Sequence, residues 1–113
     1  MVIPSIGTVV LVRFPFSDLS RLKVRPAVVL ADPGRNDWVL CQVTSQSYTD
    51  PLAVEVTNGD LASGSFRKDS YARPGKLFTA NTGIMTKQLG ELKPEKLEEI
   101  IRAVISLLEK SLV

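Results

Sequence analysis

Apolar side chains come in short, valine-rich runs through most of the chain, each broken by glycine, proline or a polar cluster. Runs of this kind, too short for helices and rich in β-branched residues, predict strands. Gly7–Phe14 is the first, opened by a glycine. Phe14-Pro15-Phe16-Ser17-Asp18 breaks it, because proline removes a ladder donor. Residues 17–24 are polar and basic without an apolar period and predict a mobile loop. Pro26–Ala31 is the second strand and Trp38–Thr44 the third. Between them Asp32-Pro33-Gly34-Arg35-Asn36-Asp37 is a dense turn signal, so the two runs predict an antiparallel hairpin.

Ser45–Pro51 then reads as a hydroxyl-rich loop, and Leu52–Val56 as a short fourth strand closed by Asn58-Gly59. Leu61–Ser65 is small and loose. Ser70–Tyr71 and Lys76–Asn81 predict further short strands around Pro74-Gly75. Many short strands with frequent Gly/Pro punctuation argue for a small β-barrel over an α/β layer fold.

The period changes at Pro94. Proline is tolerated in a first helical turn, and Glu95 suits the positive end of a helix dipole. Leu97, Ile100, Ile101, Val104, Leu107 and Leu108 follow at three- and four-residue spacing as one apolar stripe. Glu98 and Arg102 form an i,i+4 pair on the other side. The pattern predicts an amphipathic helix over about 94–111, packed on the barrel.

At 113 residues the chain reads as one domain, 1–113, with a core of its own. Its net charge of +2 is too small to hold a polyanion by bulk charge. The bases are nonetheless clustered. Residues 13–35 carry Arg13, Arg21, Lys23, Arg25 and Arg35 against Asp18 and Asp32, and residues 66–76 carry Arg67, Lys68, Arg73 and Lys76 against Asp69. Should the two segments meet in space, they make a patch suited to a polyanion. The chain has no histidine, which rules out His-based triads, imidazole acid–base pairs and His-ligated metals. Its single cysteine, Cys41, lies in an apolar run and reads as a core residue, without a disulfide partner, as in a reducing cytosol. No leader pattern and no membrane-length apolar run is present, so a soluble, cytoplasmic protein is expected.

Three polar positions border the expected sheet: Arg25 before strand two, and Thr44 and Ser45 at the end of strand three. Pairing as a hairpin puts Pro26 and Thr44 at the same end, away from the turn, and makes Arg25 and Thr44 neighbours. A cation beside a hydroxyl, with Ser17 and Ser47 on adjoining loops, suits a phosphate. Arginine is a poor base but a strong stabiliser of charge on phosphorus. RNA brings its own nucleophile, the 2′-hydroxyl, so such a site can cut RNA without histidine or metal. Strand-end arginines are also commonly just solvated, and strand-end Thr and Ser commonly cap turns. The residues alone leave both readings open.

Gly7-Thr8-Val9-Val10-Leu11-Val12, Val24-Arg25-Pro26-Ala27-Val28-Val29-Leu30 and Cys41-Gln42-Val43-Thr44-Ser45-Gln46 resemble the successive motifs of the MazF/PemK toxins, the mRNA interferases of type II toxin–antitoxin systems. The likeness extends to Lys68-Asp69-Ser70, Gly75-Lys76-Leu77 and the terminal helix. It implies a mainly β fold, an SH3-like barrel of CcdB/PemK type with a C-terminal helix, usually a homodimer. It also implies ribosome-independent cleavage of single-stranded RNA to 2′,3′-cyclic phosphate and 5′-hydroxyl ends, with no cofactor or metal, and an antitoxin that competes for the same groove. Arg25 and Thr44 take the catalytic positions of the family. Ser17, Lys23, Ser45, Gln46, Ser47 and Arg73 are the expected substrate contacts.

The chain departs from part of the family. Thr79, Ala80 and Asn81 stand where some members carry an acid, and the first-loop histidine of others is missing. It resembles the branch relying on an arginine–threonine pair, with Ser45 and water as candidates to relay the proton. The rival expectation is a non-catalytic toxin on the same barrel. Such a toxin binds a protein target such as gyrase through the helix end, here Glu109–Val113, or survives as an inactive RNA-binding homologue.

Overall fold

Pro33–Asp37 makes the turn on which the sheet is built. Arg35 and Asn36 both adopt left-handed conformations, with φ of 61° and 63°, and Gly34 pairs with Asp37 across them. Two consecutive left-handed residues are the signature of a hairpin turn whose twist matches that of its strands. Asp32 Oδ1 accepts from the Gly34 amide at 2.8 Å and braces the entry. The computed structural model describes residues 2–15, 22–46 and 50–113. In it the turn joins β2 (Leu22–Gly34) to β3 (Asp37–Thr44), an antiparallel pair as the sequence predicts.

Around this pair run β1 (Thr8–Pro15), β4 (Val54–Val56), β5 (Leu61–Gly64), β6 (Ser70–Asn81) and β7 (Met85–Leu92), followed by α1 (Pro94–Glu109). They form one seven-stranded antiparallel sheet in the order β4-β6-β3-β2-β1-β7-β5, curled into a half-barrel. The mainly β architecture with a C-terminal helix is therefore as expected. No helix among the described residues is long and apolar enough to cross a membrane.

Both faces of the central strands are buried, which is why their sequences read as continuous apolar runs. Val9, Val28, Cys41, Val43, Val56, Ala72 and Ile100 belong to one cluster, against which Leu97 and Ala103 of α1 pack. Val10, Val12, Ala27, Val29, Leu40, Ala80 and Met85 form the other, bordered by Trp38 and Phe78. Along the helix stripe Ile100 is fully buried and Leu97, Ile101, Val104 and Leu107 are half-buried. Leu108, expected in the contact, is 59 % exposed. The Glu98–Arg102 pair forms at 2.8 Å.

Four expectations change. β2 starts at Leu22, so part of the expected 17–24 loop is strand; residues 16–21 lie outside those described. Leu61–Gly64, expected to be loose, pairs with β7. Its small residues permit a close approach: a Cβ on Gly64 would stand 2.0 Å from the Leu89 carbonyl oxygen. β7 itself has no counterpart in the sequence reading, because Thr86, Lys87 and Gln88 are exposed in succession and two register shifts against β1 break the alternation. The strands on either side of Pro74-Gly75 are one strand, β6. Its register against β3 shifts between Cys41 and Val43, a bulge that accommodates a proline with no N–H to pair.

Candidate active site

The β2–β3 register runs through Val28–Cys41 to Ala27–Gln42. Two residues further along each strand lie Arg25 and Thr44, on adjacent strands about 4.8 Å apart. Alternation puts Arg25 on the face of Ala27 and Val29, and Thr44 on that of Gln42. The two side chains therefore share a face at the end of the pair away from the turn, as the hairpin argument requires. The register continues sideways: Arg25 pairs with Val12 of β1, Thr44 with Tyr71 of β6, and Tyr71 with Glu55 of β4. One row across the sheet thus carries a guanidinium, a hydroxyl, a phenol and a carboxylate. Sequence reasoning missed Tyr71 and Glu55 as neighbours of the site, because only the pairing of β6 with both β3 and β4 brings them there.

Arg25 is exposed and, among the described residues, makes no hydrogen bond or ion pair, so its charge is available to an incoming anion. Thr44 is half-buried, and its Oγ1 accepts from the Gln46 amide at 3.2 Å. That bond uses an oxygen lone pair, and the hydroxyl proton has no acceptor among the described residues. Gln46 thereby enters the site through its backbone, and its side chain is exposed, as are Ser45 and Lys23. Ser17 and Ser47 lie outside the described residues.

Arg73, an expected substrate contact, is also engaged within the protein. It lies two residues past Tyr71 on the same face of β6, but its Nε donates to Asp50 Oδ2 at 2.8 Å. Asp50 is nearly buried and also accepts the Leu52 amide on Oδ1 at 2.9 Å. The guanidinium, followed by the Leu52 amide, holds its carboxyl below the usual aspartate range. Arg73 therefore ties the segment after β3 to β6. On the opposite side of the same backbone, the Cys41 thiol donates to the Arg73 carbonyl at 3.0 Å. Burial pushes the pKa of this thiol up to about 12, against a smaller opposing effect of that bond and of the Arg73 charge. Cys41 is a core residue, as its sequence context predicts.

The two basic segments approach each other at one recess, the first through Pro26 and not through any of its bases. Pro26, next to Arg25, and Ser45, next to Thr44, line a recess with Phe66, Arg67, Lys68 and Ser70. The described residues contain no cluster of three or more acids, cysteines or histidines placed to hold a metal ion. What converges here is positive charge and hydroxyls, an arrangement that binds phosphate and stabilises added negative charge on it.

A family model described as "PemK-like, MazF-like toxin of type II toxin-antitoxin system" matches residues 5–108. No curated protein is significantly similar in sequence. Among solved structures the fold is similar to a crystal structure of MazE–MazF from Deinococcus radiodurans, with a TM-score of 0.76 and 22% identity over 96% of this chain and 98% of that one. It is also similar to an endoribonuclease from a mycobacterial species in complex with its cognate antitoxin (TM-score 0.67, 20% identity, 94% and 93% coverage). A second mycobacterial endoribonuclease matches with a TM-score of 0.68 and 22% identity over 94% and 91%. At these identities the structural likeness is one of fold.

Proposed function

Since the chain belongs to the PemK-like, MazF-like toxins of type II toxin–antitoxin systems, we propose that it is an endoribonuclease that cuts single-stranded RNA at a phosphate held by Arg25 and Thr44. The observation that carries this reading is the β2–β3 register, which ends at Ala27–Gln42 and, carried two residues on, sets Arg25, a guanidinium with no partner among the described residues, level with the Thr44 hydroxyl. The endoribonucleases among the structural neighbours support it.

The chemistry follows from the groups present. The RNA 2′-oxygen attacks the adjacent phosphorus, forming a 2′-O–P bond as the bond to the 5′-oxygen breaks. The products are a 2′,3′-cyclic phosphate and a 5′-hydroxyl. Charge grows on the non-bridging oxygens in the transition state, where Arg25 offers two parallel N–H donors and Thr44 one O–H. Arg25 stays protonated throughout and moves no proton. The 2′-hydroxyl proton leaves through water or Ser45, and the 5′-oxygen gains one on departure. This scheme needs neither a cofactor nor a metal ion, because the nucleophile comes with the substrate and the positive charge comes from Arg25.

The physiological partners are an antitoxin, as in the neighbouring MazE–MazF and antitoxin complexes, and a second copy of the chain in a homodimer. Incubating the protein with a long single-stranded RNA in excess EDTA and mapping the ends tests the function. Discrete fragments with 5′-hydroxyl and cyclic-phosphate ends are expected, and a 2′-O-methyl group at the cut position abolishes cleavage there. Intact RNA would overturn the reading, and intact RNA with inhibited gyrase would establish a non-catalytic toxin.

A further inference from the structure

The recess beside the site is built by a segment otherwise spare in structure. Residues 65–69 link β5 to β6, yet Phe66 within them is fixed by two bonds from one side chain. Asn58 Oδ1 accepts the Phe66 amide at 2.7 Å, and Asn58 Nδ2 donates to the Phe66 carbonyl at 3.2 Å. Asn58 is itself held in a short turn, where Asp60 Oδ2 accepts the Thr57 amide at 2.8 Å and the Thr57 hydroxyl at 3.2 Å. Phe66 also packs on the core, so its half-buried ring keeps one position. Ser70 Oγ donates to the Lys68 carbonyl at 3.1 Å and secures the far end of the segment.

The lining has the character of a nucleotide site. The rings of Phe66 and Pro26 supply flat apolar surface, and Ser45 and Ser70 bring hydroxyls to its edge. Arg67 and Lys68 are exposed, with no ion pair among the described residues. At about 280 Å³ the recess lies at the small end of ligand pockets, the size for one ring system. Alternation turns Pro26 to the face opposite Arg25, while Ser45 lies just past the end of β3, between recess and phosphate site, so the two sites flank one strand end. A nucleic-acid strand crossing that end meets both.

We propose that this recess seats one nucleobase of the RNA strand, stacked on Phe66, while Arg67 and Lys68 contact phosphates of flanking nucleotides. It thereby sets base preference at one position beside the cut. The assignment rests on the RNA-cutting function. Aromatic platforms with neighbouring cations are how proteins hold unpaired strands, and the two cations alone would bind without discriminating bases.

Cleavage kinetics and end mapping over a randomised RNA pool test it, with Phe66→Leu, which keeps apolar packing but removes the ring, beside Phe66→Tyr. Phe66→Leu is expected to raise KM between about 5- and 150-fold, leave kcat at saturating RNA near wild type, and relax preference at a single position. Phe66→Tyr restores both. Arg67→Ala and Lys68→Ala raise KM for all sequences alike, each lowering the slope of log K against log salt by about 0.7. Unchanged KM and preference in a folded Phe66→Leu protein overturns the proposal. A fluorescent deoxyoligonucleotide, which cannot be cut for want of a 2′-hydroxyl, separates the two ideas. If the wild type cuts no RNA, the enzymatic reading fails, whereas the recess fails only if Phe66→Leu binds that strand as tightly as wild type.

Discussion

Arg73 Nε and Asp50 Oδ2 lie 2.8 Å apart, joining β6 to a residue 23 positions earlier in the chain. Both side chains are largely shielded, at 26% and 11% exposure, and Asp50 is also bonded to the Leu52 amide. Asp50→Ala or Arg73→Ala is expected to cost about 1–2 kcal/mol, in the range of a charge-assisted bond discounted for partial exposure. The double variant should cost less than the sum. Because Asp50 has a lower pKa folded than unfolded, the unfolded chain takes up its proton first as pH falls. The stabilisation is complete above about pH 4 and is lost as pH drops through the lowered value. Urea melts at several pH values should show the wild type losing its advantage over Asp50→Asn in acid. An equal gap at every pH would remove the pair from the account.

Arg25→Ala should lower single-turnover RNA cleavage by about 10²–10³-fold, the effect of removing one preorganised donor from a developing oxyanion. Since Arg25 is exposed, its unfolding free energy should stay within about 0.5 kcal/mol of wild type. Arg25→Lys keeps the charge but not the planar fork and should fall between the two. Thr44→Val removes the donor and should slow cleavage, whereas Thr44→Ser should retain most of it. Circular dichroism and rapid-quench kinetics on the same preparations separate lost chemistry from lost fold.

Cys41 is fully buried, with a thiol pKa of about 12. Thiolate is the reactive form, so the native protein should resist a disulfide reagent at pH 8 and react at once in denaturant. Its raised pKa stabilises the fold fully below the unfolded value of about 8.5, and that contribution falls as pH climbs toward 12. Rapid labelling of the native protein would contradict this burial.

The contact between β5 and β7 is one of backbone on backbone. A Cβ at Gly90 would lie 2.3 Å from the Ser63 carbonyl oxygen, and one at Gly64 would clash with Leu89 from a φ of +82°. Gly90→Ala should cost about 1–3 kcal/mol as an overpacked site does, and Gly64→Ala more, because the left-handed backbone adds strain. The shift in denaturation midpoint measures both.

How much of this could be read from the residues depends on how local its cause is. The β2–β3 hairpin follows from six consecutive residues at its turn, and once it forms, the Arg25–Thr44 neighbourhood is a matter of counting. Ile100 and its stripe are likewise periodic. β7 was hidden because bulges against β1 let three exposed polar residues follow one another. β6 was cut in two by Pro74, whose missing donor is absorbed at a register shift. The capture of Arg73 by Asp50 and the clamp of Asn58 on Phe66 join residues 23 and 8 positions apart with no sequence period to announce them. Sequence alone therefore offers Arg73 as a substrate contact and carries no signal for Phe66.

The placement of β1 between β2 and β7 bears on the timing of synthesis. Thr8 pairs with Glu91, a partner the ribosome delivers about eighty residues later, and closing so long a loop is slow. β2 and β3, with Arg25 and Thr44, emerge well before that. Until β7 arrives, β1 keeps an unpaired edge open to other strands, and the sheet behind the site lacks two of its seven strands. A cell making this chain thus passes through a growing polypeptide that already carries the site residues on an unfinished platform. Translation of the last third, more than of the site itself, is the step at which a working fold is released.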